Sequence, residues 1–252
     1  MAGSAWLAQD GPRYSGDIDI FHDREERVAR AGQEGVAVLQ ATGLNVEWRR
    51  REPAFYQAIV SRASESTRLE WVVNSDFRYF PTQPDDVFGY VLHPVDLATN
   101  KAMAAAGRRE PRDIVDLVKI HHDILPLGAV IWAAVEKALG FTPEGLINEI
   151  RRLAHYTAND FDRVDSDPPV DPVTIMKELK SALDDAESFV MRMPTEKIGL
   201  LFLEDGKVVR PNPARLETYA THAGARRGHW PSSSEIGTAM LERYGEKPSS
   251  TA

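Results

Sequence analysis

Polar and apolar positions alternate in several short runs of the N-terminal part, as they do in strands with one buried face. The strictest alternation is Asp17-Ile18-Asp19-Ile20-Phe21, which predicts a half-buried strand. The other predicted elements of this part are a helix over residues 24–42, strands over 55–61, 67–73 and 89–92, and a loop over 81–86. This order predicts a lobe with a mixed sheet.

The pattern changes near Pro94, where apolar residues begin to recur at helical spacing. Helices are predicted over residues 94–106, 112–121, 127–139, 142–155 and 171–191. A surface linker is predicted over 157–170, a β-hairpin at 200–209 around Asp205-Gly206, and a disordered tail over 247–252. The fold class is therefore expected to be α/β in the α+β sense. A catalytic lobe of residues 1–93 precedes a mostly helical lobe of 94–246 with one late hairpin.

Composition narrows the range of functions. The chain has 252 residues and a formal net charge of −8, which disfavours broad, non-specific coating of nucleic acid. It has no cysteine, which excludes disulfides, thiolate zinc sites and cysteine nucleophiles. No apolar run has the length of a membrane-spanning helix and no signal peptide is evident, so we expect a cytoplasmic protein without membrane contact.

Two carboxylates carry the candidate chemistry. Asp17 and Asp19 lie two residues apart on one strand, so both side chains project from the same face. Like charges this close favour a cation between them, and Mg²⁺ commonly takes one or two carboxylates together with substrate phosphates. Two solvated acids on an exposed strand edge would show the same spacing.

Small residues stand ahead of this pair. Twelve residues separate Ser4 of the Gly3-Ser4 pair from Asp17. This resembles the signature of nucleotidyltransferases related to DNA polymerase beta. The resemblance implies that backbone N–H groups and a hydroxyl at Gly3-Ser4 approach a triphosphate, while the carboxylates hold Mg²⁺ or Mn²⁺. It also implies a third carboxylate on a neighbouring strand, for which Glu70 is the candidate. A surface glutamate would fit that position equally well.

Further motifs resemble one family in particular. Arg13-Tyr14-Ser15-Gly16-Asp17-Ile18-Asp19 is similar to the R-x-S-x-D-I-D form of the AbiEii/AbiGii toxin family of nucleotidyltransferases. In that family a helical lysine precedes an Arg-Asp-x-x-Asp stretch, and here Lys101 precedes Arg112-Asp113-Ile114-Val115-Asp116. The resemblance covers residues 3 to about 120. Family members carry a helix and a strand before the Gly-Ser turn, so the sequence is expected to lack those two elements.

The resemblance implies a toxin that transfers nucleotides from a nucleoside triphosphate to an RNA acceptor, the 3′ end of a tRNA, with a cognate antitoxin as partner. Catalytic roles would fall to Asp17, Asp19, Glu70, Lys101, Asp113 and Asp116. The nucleotide would be contacted by Gly3, Ser4, Arg13, Ser15 and Lys101. Lys101 is expected as an exposed helical lysine that faces Asp17 and Asp19 across a cleft, with Asp113 or Asp116 nearby.

Two other functions stay open. One is a nucleotidyltransferase with a small-molecule or protein acceptor, which would share the metal site. The other is a catalytically degenerate member that acts as a binding or scaffold protein.

Overall fold

A computed structural model describes residues 7, 13–22, 24–138 and 140–226. The chain belongs to the α+β class that the sequence predicts, with a mixed four-stranded sheet and several helices. It divides into two compact units. The described part of the first comprises residues up to 76 together with 81–92, and that of the second comprises 77–80 together with 93–226.

The first unit is organised around a four-stranded sheet. Its strands are β1 (Asp17–His22), β2 (Asn45–Glu52), β3 (Phe55–Arg62) and β4 (Glu65–Val73), in the order β1-β4-β3-β2. Helix α1 (Glu25–Ala41) connects β1 to β2. Strands β1 and β4 are parallel, and the other pairs are antiparallel. The chain between β1 and β4 runs through α1, β2 and β3, which supplies the long crossover that parallel strands need.

Period-2 alternation separates the two faces of this sheet. One face carries the apolar residues of the strands, which form a core with Val28 and Val36 of α1. Glycines bring the helix close to this face: a Cβ on Gly35 would lie 3.1 Å from the Trp71 ring, and one on Gly32 would lie 3.1 Å from the Tyr56 ring. With α1 over the apolar face, the polar side chains of β1 and β4 occupy the opposite face.

Two strands of the first unit were not predicted. Strand β2 contains three consecutive arginines, Arg49 to Arg51, and most of its side chains are exposed. It therefore lacks the alternation of polar and apolar residues from which the other strands were predicted. Strand β5 (Gln83–Asp85) lies inside the predicted loop 81–86 and pairs antiparallel with β6 (Gly89–Val91). The prediction of an irregular loop there was wrong, because pairing with β6 orders the backbone in spite of its prolines.

The second unit is mainly helical. Its α-helices are α2 (Pro94–Gly107), α3 (Pro111–Asp123), α4 (Leu127–Ala134), α5 (Pro143–Leu153), α6 (Ala158–Phe161) and α7 (Pro172–Val190). Proline in the first turn begins four of them, where its missing N–H leaves no helical bond unmade. Thr142 and Asp171 cap α5 and α7 through their side chains, as their places in the sequence predict.

Helix α4 lies at the centre of this unit. All its residues are buried, and it packs against α2 and α7. A Cβ on Gly128 would lie 2.9 Å from the Phe189 ring, so glycine permits the close approach of α4 and α7. Within the described residues no helix is both long and apolar enough to cross a membrane.

A small sheet ends the described chain. Strands β7 (Leu201–Glu204) and β8 (Lys207–Val209) form the predicted hairpin, and Asp205 and Gly206 have φ values of 50° and 78° in its turn. A third strand, β9 (Ala220–His222), pairs with β7 and was not predicted.

The predicted surface linker 157–170 is in part folded. It contains α6, which begins with a capping box of Thr157 and Asp160. Phe161 and Val164 are buried against Val115 of α3. The linker prediction was wrong there, because two apolar residues are enough to attach a polar segment to a neighbouring helix. The predicted tail over 247–252 lies outside the described residues.

Candidate functional site

Four charged residues share the polar face of the parallel pair β1–β4. Asp17 lies beside Arg68, and Asp19 lies beside Glu70. Parallel register places neighbours on the same side of a sheet, and alternation does the same for residues two apart. The structure therefore brings Asp17, Asp19 and Glu70 to one surface of the first unit, around the guanidinium of Arg68.

Arg68 is the cation at the centre of this cluster. Its Nη2 lies 2.6 Å from Asp17 Oδ2, and its Nε lies 3.0 Å from Glu70 Oε1. The hydrogen bond with Asp17 raises the pKa of Arg68, with smaller contributions from the charges of Glu70, Asp17 and Asp19, while burial opposes the shift. The field of three carboxylates converges on one point, and Arg68 shows that a cation is stable there.

Residues ahead of β1 hold Asp17 in place. Its side chain is 6% exposed, and the Ser15 hydroxyl donates to its backbone oxygen at 2.9 Å and to its Oδ1 at 3.2 Å. Arg13 is buried, and its Nη1 donates to the Tyr14 carbonyl at 2.9 Å. Ser15 and Arg13 thus order the segment that leads into β1. Gly3 and Ser4 lie outside the described residues.

The Glu70 carboxylate has two side-chain partners, Gln57 and Arg68. Gln57 Nε2 on β3 donates to Glu70 Oε1 at 2.7 Å, and the same oxygen faces Arg68. In the part of the chain that the structure describes, no group of three or more histidine, aspartate or glutamate side chains is arranged to hold a metal ion. Glu70 Oε1 is shared between Gln57 and Arg68, and a role for Glu70 as the third carboxylate stays a prediction.

The donor chemistry of Asp17 and Asp19 fits a hard divalent cation. Both supply carboxylate oxygens from one strand face, and a Mg²⁺ site that uses substrate phosphates needs only one or two protein carboxylates. The charges of Asp17, Asp19 and Glu70 all act on this strand face, and oxygen donors of this kind are the ligands that Mg²⁺ prefers.

A second cluster lies in the helical unit. Lys101 Nζ is 2.6 Å from Asp116 Oδ2 and 3.5 Å from Asp113 Oδ1. Arg108 makes a forked contact to Asp113, at 2.7 Å from Nε and 3.0 Å from Nη2. Two cations and two carboxylates thus neutralise one another. The structure brings together the lysine and both aspartates that the family resemblance singles out.

This cluster is buried, which the sequence did not predict. The Lys101 side chain is 7% exposed, and those of Asp113 and Asp116 are 0% and 3% exposed. The expectation that Lys101 is an exposed lysine was wrong, because α2 packs against α3 along the side that carries it. Burial alone would raise the pKa of Asp113, but the hydrogen bond from Arg108 and the charges of Lys101, Arg108 and Arg112 lower it below its usual value.

Helix geometry explains the meeting of these residues. Gly107 ends α2, and Pro111 begins α3 after a short connection. Lys101 lies six residues before the end of α2 and Asp116 lies five residues after the start of α3. At a rise of about 1.5 Å per residue, both are roughly 8 Å from the connection, so they face each other when the helices fold back.

Some partners were missed in the sequence. Arg68 and Glu70 lie two residues apart on β4, just as Asp17 and Asp19 do on β1. Residues two apart share a strand face, so this spacing could have placed Arg68 on the face that carries the carboxylates. Gln57 has no comparable signal, since its contact depends on the β3–β4 register. Arg108 also has no evident sequence signal, and its guanidinium binds Asp113, five residues further along the chain.

Comparison with known proteins adds no family. No protein-family model matches the chain, and no curated protein or solved structure matches it. The chemistry of the site therefore rests on its own residues. The first cluster can bind a cation through oxygen ligands, and the second can place a positive charge against an anion if Lys101 exchanges its aspartate partner for a phosphate.

Proposed function

We propose that the chain is a Mg²⁺-dependent nucleotidyltransferase of the AbiEii/AbiGii toxin type. The observation that carries this proposal is the pair Asp17 and Asp19, which share one face of β1 with Arg68 and Glu70 beside them on β4. A cluster in which three carboxylates surround one guanidinium is more than two scattered surface acids. It supports a cation-binding role for the strand face.

Asp17 and Asp19 would hold the metal ion, Mg²⁺ or Mn²⁺. When bound, the ion would neutralise the phosphate oxygens of the nucleotide and orient the triphosphate. Ser15 keeps the Asp17 carboxylate turned toward its partners, which lowers the cost of organising the site. Glu70, held by Gln57, fixes the position of Arg68. Arg68 in turn limits the repulsion between the carboxylates before the ion binds.

Lys101 would bind the phosphates of the nucleotide. A triphosphate brings several negative charges, and a lysine adds positive charge without occupying a coordination position of the metal. Asp116 and Asp113 orient the Lys101 side chain while no nucleotide is bound. That Lys101 faces Asp17 and Asp19 across a cleft stays a prediction.

The proposed reaction is a single displacement at phosphorus. An acceptor hydroxyl attacks the α-phosphate of the nucleoside triphosphate, a new P–O bond forms, and the bond to the bridging oxygen breaks. Pyrophosphate leaves, and the hydroxyl proton passes to a base or to water. From the family resemblance, the acceptor is the 3′ end of a tRNA, the outcome is growth arrest, and a cognate antitoxin binds the protein.

The test is transfer of label from each α-labelled nucleoside triphosphate to total RNA, with Mg²⁺ present. Asp17→Asn and Asp19→Asn should lower the rate by a factor on the order of 10² to 10³, as the loss of a preorganised charge does in other enzymes. Asp123→Asn is the matched control, because Asp123 forms an ion pair with Lys119 on the surface of α3. It should leave the rate unchanged. If Asp17→Asn and Asp19→Asn transferred label as fast as the wild type, the proposed roles of both carboxylates would be refuted.

A binding or scaffold protein without transfer activity is the second candidate. The ion pairs Arg68–Asp17 and Lys101–Asp116 favour it, since each cluster contains a cation that already binds one of its own carboxylates. The same assay separates the two functions. A folded wild type that labels neither RNA nor protein with any of the four nucleotides, in Mg²⁺ or Mn²⁺, would support the scaffold. Label on protein or on a small molecule would instead identify a different acceptor.

A further inference from the structure

Arg109 adopts an unusually constrained position for a surface arginine. Its Cζ lies 4.7 Å from the centre of the Tyr156 ring. Its Nε and Nη2 donate to the His155 carbonyl at 3.1 and 2.7 Å, and its Nη1 and Nη2 donate to Asp160 at 3.4 and 2.9 Å. The donors along its edge are thus bound, and one face of the guanidinium lies over an aromatic ring.

The supporting residues are themselves held. Asp160 completes the capping box of α6, where it accepts hydrogen bonds from the Thr157 N–H at 2.7 Å and from the Thr157 hydroxyl at 2.9 Å. Tyr156 packs edge-on against the buried Phe161, with ring centres 5.8 Å apart. Yet the Arg109 side chain remains 48% exposed. Since Tyr156 covers one face and the acceptors take the edge, the exposed part includes the opposite face.

This arginine lies beside the Lys101 cluster. Arg108, its neighbour in the chain, binds Asp113, which contacts Lys101. Burial raises the pKa of Tyr156 to about 12, and the charge of Asp113 adds to the shift, so Tyr156 is close to that carboxylate. Arg109 therefore lies on the same α2–α3 connection as the Lys101 cluster, next in the chain to the arginine that binds Asp113.

We propose that the exposed face of the Arg109 guanidinium, stacked on Tyr156, is a platform for a nucleobase. The base belongs either to the nucleoside triphosphate or to the unpaired end of an RNA, and the assignment rests on the proposed nucleotidyltransferase function. Guanidinium planes stack on unpaired bases without selecting among them. The Arg109 platform therefore contributes affinity for the base and little preference for its identity.

The chain contains a matched control at the other end of α3. Arg210 lies 4.9 Å from the centre of the Phe189 ring and makes a forked contact to Asp185, so it repeats the arrangement of ring and carboxylate. Its charge acts on His121 in the last turn of α3, whereas Arg109 precedes the first turn. The helix has 13 residues, which corresponds to about 20 Å.

The experiment measures equilibrium binding to the full chain with three probes: each nucleoside triphosphate, inorganic triphosphate, and a short single-stranded oligoribonucleotide. Arg109→Lys keeps the charge and removes the plane, and Arg109→Ala removes both. Both should weaken binding of at least one base-containing probe about three- to tenfold. Arg109→Lys should leave binding of inorganic triphosphate unchanged, and Arg210→Lys should leave all binding unchanged. The probe whose binding is weakened identifies the source of the base.

Other outcomes separate the platform from the wider function. Suppose that Lys101→Met weakens triphosphate binding, whereas Arg109→Lys, Arg109→Ala and Arg210→Lys all leave binding unchanged. The platform is then wrong, while the proposed function stands. If the wild type binds the oligoribonucleotide through Arg109 but binds no nucleoside triphosphate, the platform stands and the proposed function fails. If the wild type binds none of the probes, or if Arg109→Lys weakens inorganic triphosphate as much as nucleotide, the platform is overturned.

Discussion

Removal of the Lys101 charge should destabilise the helical unit by about 3 kcal/mol, far more than loss of an exposed lysine. At the 2.6 Å separation of Lys101 Nζ and Asp116 Oδ2, the gross Coulomb attraction at an effective dielectric constant of about 20 is about 6 kcal/mol. Desolvation offsets part of it, and loss of one partner from a buried pair costs about 3–5 kcal/mol. The lower end applies because Arg108 still compensates Asp113.

The perturbation is Lys101→Met, which keeps the length of the side chain and leaves Asp116 buried with one partner fewer. Urea unfolding at neutral pH, followed by circular dichroism and tryptophan fluorescence, measures the free energy of unfolding. The double variant Lys101→Met/Asp116→Leu should recover most of the loss, because both charges leave together. Lys119→Met is the control: its pair with Asp123 is partly exposed, so its removal should cost about 0.5 kcal/mol or less.

Two results would refute this reasoning. If Lys101→Met costs no more than Lys119→Met, Lys101 is not a buried partner of Asp116. If the double variant is as unstable as Lys101→Met, the loss comes from packing and not from an uncompensated carboxylate. The comparison also bears on function, because a rate measured for Lys101→Met has to be corrected for any unfolded fraction.

Two further predictions concern pH. Burial lowers the pKa of Lys137 to about 8, against 10.5 for an unperturbed lysine. At pH values between these two, Lys137 is therefore mostly protonated in the unfolded chain and mostly neutral in the folded chain. The free energy of unfolding of the wild type should therefore rise relative to that of Lys137→Met as pH increases from about 8 to 10.5; a flat or falling difference would contradict the burial of this lysine. The pKa of Asp113 is lower in the folded chain than in the unfolded chain, where it is about 3.9. This difference stabilises the folded state at pH values above about 3.9, and the stabilisation is lost as the pH falls through the folded-state pKa. Arg108→Gln removes the main cause of the lowering, so acid unfolding should move to higher pH than in the wild type, while Arg152→Gln, on the surface of α5, should not shift it.

The sequence by itself determined the local elements. The alternation of Asp17, Ile18, Asp19 and Ile20 defines a strand with a carboxylate face, and it does so without knowledge of any neighbour. Proline in the first turn marks the starts of α2, α3, α5 and α7, and Asp205-Gly206 marks the hairpin between β7 and β8. These features depend on backbone geometry within a few residues, so a reader of the sequence can find them.

Only the tertiary structure decided what surrounds those elements. Strand β9 exists because β7 offers a free edge, and Ala220–His222 carries little strand signal of its own. Arg68 reaches Asp17 through the register of two strands that lie 51 residues apart in the sequence. Lys101 is buried because α2 and α3 fold back on each other, whereas helical periodicity alone left it exposed. Charge and spacing can be read from the sequence, but the counter-charge, the burial and hence the pKa of each group come from contacts between residues that are distant along the chain.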